Sequence, residues 1–135
     1  MTTEPAHAHP CAGTRGDIYD PGCPARLVLD RIGDRWTVLI VGVLQEQGAT
    51  RFSALRAAVG GVTPKVLTQT LRAMERDGMV TRKIYAEVPP RVEYSLTELG
   101  HSLKDPINAI RSWAEENMDE LFDTRARYDR NNARP

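Results

Sequence analysis

Thr63, Lys65, Thr68, Gln69 and Arg72 have the types and the spacing of a set that reads duplex DNA. Gln and Arg can each form paired hydrogen bonds to base edges in a major groove, while Thr and Lys hold phosphate oxygens. If the segment is helical, these residues and Arg76 fall on one side of it, opposite Leu67, Leu71 and Met74 with Val66, Thr70 and Ala73 beside them. A second group of cations, Lys83 and Arg91, follows within twenty residues, and Arg51 and Arg56 precede the set as further phosphate candidates. A polar outer face is also what any solvated surface helix shows. The neighbouring elements must therefore decide.

Those neighbours are specific. Thr63 suits an N-cap, because its hydroxyl can satisfy an orphan amide of the first turn, and Pro64 suits the first helical position, where no amide hydrogen is needed. Gly78 can adopt the left-handed conformation that stops a helix. Residues 80–85 and 92–96 then alternate apolar and polar around the interruption AEVPPR, which predicts a two-stranded ribbon with prolines and an arginine at its tip. Upstream, Arg51-Phe52-Ser53 opens a helix with Phe52, Leu55 and Val59 on one face, broken by Gly60-Gly61. Helix, glycine turn, capped helix is the helix-turn-helix plan, and Thr50-Arg51 is placed to add a short third strand. The helix would enter the major groove, and the ribbon would reach the neighbouring backbone or minor groove.

The remaining segments supply the support. Residues 24–32 read as a short helix with Leu27, Val28 and Ile32 on one face. Asp34 can cap the segment WTVLIVGVLQEQG, which is apolar nearly all round and closes at Gly48. Its β-branched run has strand propensity, but its length, cap and glycine stop predict a helix, the most buried of all, with Trp36 in the core. Thr97 is expected to cap a long helical segment that Pro106 kinks or restarts. In it Leu99, Leu103, Pro106, Ile107, Ile110, Trp113, Asn117 and Leu121 recur at alternating spacings of three and four, as in a coiled-coil seam. A small domain leaves such a face little to cover. Residues 107–122 are therefore expected to form a dimer surface, with Ile107, Ile110, Trp113, Leu121 and Phe122 at its centre.

Composition narrows the class. The 135 residues suit one domain: an arm over 1–22, a folded unit over 23–122 and a polar tail over 123–135. The fold class expected is mainly α with a small antiparallel β-wing, a winged helix-turn-helix. The longest apolar stretch, around Val38 to Leu44, is far shorter than the roughly 20 residues that span a bilayer, and no signal-peptide plan opens the chain, which predicts a cytoplasmic protein without a membrane partner. Cys11 and Cys23 lack the paired spacing of a zinc site, and His7, His9 and Cys11 sit in a segment with the composition of a disordered arm. No cofactor or metal is expected. An enzyme is the weakest reading, since Cys23 is the sole nucleophile candidate and no histidine is placed to activate it.

Net charge is zero, 18 basic against 18 acidic residues, but the charges are segregated. Residues 51–95 carry eight bases, Arg51, Arg56, Lys65, Arg72, Arg76, Arg82, Lys83 and Arg91, against the four acids Glu75, Asp77, Glu87 and Glu93. Residues 97–124 carry two bases and seven acids. A local basic patch, rather than the net charge, is what releases counterions from a phosphate backbone.

Two long stretches, CPARLVLDRIGDRWTVLIVGVL and RFSALRAAVGGVTPKVLTQTLRAMERDGMVTRKIYAEVPPRVEYSLTELG, resemble the HxlR family of winged-helix transcriptional regulators, related in fold to the MarR group. The resemblance covers roughly Cys23 to Trp113. It implies a homodimer built by helices at both ends of the domain, with each Thr63–Asp77 helix in a major groove and the wing between Tyr85 and Val92 alongside. Two-fold symmetry implies a palindromic operator with half-sites about one helical turn, or roughly 34 Å, apart. Several members of that family respond to oxidants or electrophiles through a cysteine before the first helix, the position Cys23 holds. A thiol there feels the positive end of the helix dipole, which favours the reactive thiolate; the plainer role is a small buried hydrophobe. Repression of nearby genes is the expected activity. A small ligand at the dimer interface, in place of an oxidant, and a winged-helix interaction module without DNA are the alternatives.

Overall fold

The computed structural model describes Tyr19, Pro21, Gly22 and residues 24–133, with Leu27 by its backbone alone. Cys11, Cys23 and almost all of the expected arm lie outside the described residues. The elements run α1 (Pro24–Ile32), α2 (Arg35–Gln47), β1 (Thr50–Arg51), α3 (Phe52–Val59), α4 (Pro64–Arg76), β2 (Val80–Tyr85), β3 (Arg91–Leu96), α5 (Glu98–His101) and α6 (Lys104–Asn131). Among the described residues the strands form one antiparallel sheet in the order β1-β3-β2, so Thr50-Arg51 does join the ribbon. The architecture is the expected mainly helical fold with a small β-wing.

The helix boundaries follow the local chemistry. The Asp34 carboxylate accepts the Trp36 amide at 2.8 Å, and Thr63 Oγ1 accepts the Val66 amide at 3.1 Å, each cap contributing about 1 kcal/mol. Gly78, at φ 78°, ends α4 in the left-handed region. Gly60 and Gly61, both at φ 74°, make the turn between α3 and α4, a conformation that side chains with a Cβ rarely adopt.

The core lies between α2, α3, α4 and the base of the sheet. Ile40, Val41 and Leu44 of α2 meet Leu55 of α3, Leu67, Leu71 and Met74 of α4, and Val80 of β2. Burying side chains of this size contributes on the order of 1.5–3 kcal/mol each. α2 is the hub: it touches α1, α3, α4, α5, α6 and β3. Trp36 lies at the edge of that core rather than in it, half-buried with the Arg35 guanidinium 4.4 Å above its ring. Val28 of α1 and Leu39 of α2 are exposed, because no element among the described residues covers those sides.

The C-terminal part departs from expectation in three respects. Thr97 caps only the four-residue α5, and the chain restarts as α6 at Lys104, two residues before Pro106. Pro106 thus occupies the first turn of a restarted helix, one of the two outcomes expected of it, where its missing amide hydrogen leaves nothing unsatisfied. Ile107, 4% exposed, belongs to the core of its own domain beside α2 and leaves the expected dimer set. The helix also runs on to Asn131, through most of the segment expected to be a polar tail.

Candidate nucleic-acid interface

α4 presents its apolar side inward and the predicted reading side outward. Leu67, Thr70, Leu71 and Met74 are buried, whereas Lys65, Gln69, Arg72 and Arg76 form one exposed stripe, with Thr68 half-buried beside it. Thr70, on the inner side, donates its hydroxyl to the Val66 carbonyl at 2.8 Å. Among the described residues Gln69 makes no side-chain hydrogen bond, and no carboxylate lies within 4 Å of Lys65 or Arg72. Those groups are open to a ligand. Thr63 is exposed, and because its oxygen accepts the Val66 amide, its hydroxyl hydrogen remains free to donate. Arg56 is less free, as its Nε donates to the Val62 carbonyl at 3.2 Å across the α3–α4 turn.

The wing follows α4 and turns its Arg82–Tyr94 face toward that helix, so the predicted wing cations lie on the opposite face. In the β2–β3 pair Lys83 lies opposite Glu93 and Tyr85 opposite Arg91, and in the β1–β3 pair Arg51 lies opposite Glu93. Since alternate residues share a sheet face, Arg51, Lys83, Tyr85, Arg91 and Glu93 are on the same side of the sheet. Lys83 Nζ sits 4.9 Å above the Tyr85 ring, and the Arg91 guanidinium 3.9 Å from that ring's centre. Arg91 is not a free cation: its Nη2 lies 3.1 Å from Glu87 and its Nε 3.7 Å from Glu93. The partners of Arg91 escaped the sequence reading, although Glu93 is its same-face neighbour two residues on along β3; the Glu87 contact depends on where the tip folds back.

On the other side of the sheet Arg82 Nε lies 3.5 Å from Glu75 of α4 and opposite Tyr94 of β3. Burial pushes the Tyr94 hydroxyl above the ordinary tyrosine value, with Arg82 acting against it, so the hydroxyl stays neutral at physiological pH. The end of α4 is fixed by a long-range pair, Arg31 Nε of α1 to Asp77 Oδ2 at 2.8 Å. That contact ties the first helix to the end of α4. No helix among the described residues is long and apolar enough to cross a membrane, and no cluster of three or more metal-ligating side chains occurs among them.

A capped helix with an open Lys-Gln-Arg stripe, preceded by a glycine turn and flanked by a cationic wing, is the geometry of a winged helix-turn-helix. The sequence pattern described as HxlR-like helix-turn-helix matches residues 31–122. The chain belongs to the HxlR family. The HTH-type transcriptional regulator YtfH of Escherichia coli (strain K12) is 44% identical over 110 residues, 82% of this chain and 86% of that protein. Among solved structures, the transcriptional regulator ytfH from Salmonella typhimurium superposes with a TM-score of 0.73 at 44% identity, covering 80% of this chain and 96% of that one. Redox regulator HypR in its oxidized form gives 0.64 at 39% identity, covering 70% and 97%. This HxlR protein is thus a DNA-binding transcriptional regulator of MarR-like fold, in a family of regulators rather than enzymes.

Proposed function

We propose that the chain acts as a homodimeric, sequence-specific regulator that represses genes near its own by occupying a palindromic operator. The open α4 stripe carries this reading: Gln69 and Arg72 face bases, Thr63, Lys65 and Thr68 fix phosphates, and Lys83, Arg91 and Arg51 hold the flanking backbone, with Arg56 supporting the turn. In a titration of labelled duplex from upstream of its own gene against scrambled duplex, Gln69→Ala is expected to lose about tenfold on the operator and almost nothing on the scrambled sequence. Lys65→Ala should lower both alike. Equal losses for Gln69→Ala on both duplexes would remove it from base reading.

The dimer rests on α6. At 28 residues and 1.5 Å per residue it is roughly 42 Å long and outruns the domain. Beyond Ile107 it exposes Ile110, Trp113, Met118, Leu121 and Phe122, with Trp113 60% exposed. A contiguous apolar band of this kind on one helix marks an association surface, and a second copy of the same helix is its natural cover.

For the signal, oxidation at Cys23 is the reading favoured, since the residue directly precedes α1, and α1 is bonded to the end of α4 through Arg31 and Asp77. Similarity to a protein named as a redox regulator supports it. Operator binding should vanish on treatment with a mild thiol oxidant, return with reductant and persist throughout in Cys23→Ser; indifference to oxidant would discard the thiol. The alternative input, a small ligand at the interface, draws support from a groove of about 690 Å³ between α2 and α6, lined in part by Val38, Leu39, Val43, Ile107 and Ile110.

A further inference from the structure

We propose that Glu87 is a built-in competitor for the phosphate site of Arg91, so that the wing cation is held in the free protein and released only when a phosphate takes the carboxylate's place. The inference rests on the DNA-binding reading above and concerns the regulation of that same site. The two carboxylates around Arg91 are not equivalent. Glu93 is the more buried, its side chain 19% exposed, and its Oε1 accepts the Tyr85 hydroxyl at 3.3 Å while its Oε2 stands 3.7 Å from Arg91 Nε. Glu93 is therefore part of the fixed wall, with the Tyr85 ring against the guanidinium.

Glu87 lies at the open end. Its side chain is 48% exposed, and its only side-chain tie among the described residues is the 3.1 Å contact with Arg91 Nη2. Its backbone amide donates to the Tyr85 carbonyl at 2.8 Å, a three-residue turn that brings the carboxylate back over the ribbon. A half-exposed ion pair contributes little to stability and is readily exchanged, whereas a guanidinium can donate paired N–H groups to a phosphate as it does to a carboxylate. Arg91 Nε is buried without a hydrogen-bond acceptor, so the clamp leaves the guanidinium incompletely satisfied. Its position is pre-set by Tyr85 and Glu93, and an oxygen arriving from the tip would meet a cation already in place. Lys83 and Arg51 on the same sheet face keep that approach electropositive.

The test is a double-mutant cycle on duplex affinity at several salt concentrations, with melting curves to check that each variant is folded. Glu87→Gln keeps the size of the side chain and removes the charge. It is expected to raise affinity for duplex about three- to tenfold near 0.1 M salt and to steepen the slope of log K against log salt by about one. In an Arg91→Ala background the same change should give no gain. In Arg91→Lys, where a cation remains, the gain should persist, which separates competition from damage to the wing. An equal gain in the wild-type and Arg91→Ala backgrounds would mean only a general charge effect and would overturn the competition. So would unchanged or weaker binding by Glu87→Gln. Absence of salt-dependent duplex binding by the wild-type protein would instead remove the DNA-binding reading on which this rests.

Discussion

Gly100→Ala is expected to destabilise the protein by about 3 kcal/mol or more, with a fall of roughly 10 °C in melting temperature. Gly100 is buried in α5, where a Cβ would run into the Met79 carbonyl oxygen and lie 2.8 Å from Leu96 Cδ2 and 3.3 Å from Leu96 Cβ. The obstacle is backbone, and it is held in place. The Met79 carbonyl accepts the Thr97 amide at 3.0 Å and the Thr97 hydroxyl at 3.2 Å, and Thr97 Oγ1 in turn accepts the Gly100 amide at 3.1 Å. Relieving the clash means parting α5 from the base of the wing, where β2 starts and β3 ends. Chemical denaturation of the purified variant checks this; an unfolding free energy unchanged within about 0.5 kcal/mol would show that the contact relaxes without cost.

The second large effect concerns assembly. Replacing Leu121 and Trp113 together by glutamate should leave the domain folded, because both side chains are exposed and neither belongs to the core cluster. It should nevertheless dissociate the proposed dimer, since four charges per dimer would have to be desolvated within an apolar seam. Loss of the second reading head removes the avidity of two linked half-sites, so operator affinity should drop by about a hundredfold or more. Sedimentation gives the mass and anisotropy gives the affinity. A variant that remains dimeric places the interface elsewhere, and a wild-type monomer at micromolar concentration rejects the dimer itself.

Most of the α4 and wing architecture was legible in the sequence because local chemistry determines it. Thr63-Pro64 starts α4 and Gly78 stops it, and the 3.6-residue period then fixes which side chains face out. The alternation in residues 80–96 likewise specified the ribbon, since period two has no other reading there. What resisted were questions of which neighbour covers a residue. Ile107 fits a seam by spacing, yet it is the point where α6 packs on α2, and only the three-dimensional arrangement separates it from Ile110. The break at Ser102-Leu103 falls between residues anchored on different partners, Gly100 on the wing base and Ile107 on α2, and Pro106, in the first turn of the new helix, is the residue in the sequence that marks it. Trp36 illustrates the same limit: a helix apolar nearly all round does not disclose which side stays open. Around Arg91, alternation along β3 already puts Glu93 on the same face, whereas the Tyr85 ring contact needs cross-strand register and the Glu87 contact needs the fold of the tip, neither of which alternation determines.

The measurement that bears most directly on the central claim is an anisotropy titration of the wild-type protein, kept reduced, with duplex from upstream of its own gene and with a scrambled duplex of the same length, at several salt concentrations. A regulator that reads sequence through α4 should prefer the upstream duplex by at least about a thousandfold and should bind both more weakly as salt rises. Equal affinity for the two duplexes would contradict operator recognition by the α4 stripe, and no salt-dependent binding to either would contradict the reading of this surface as a nucleic-acid interface.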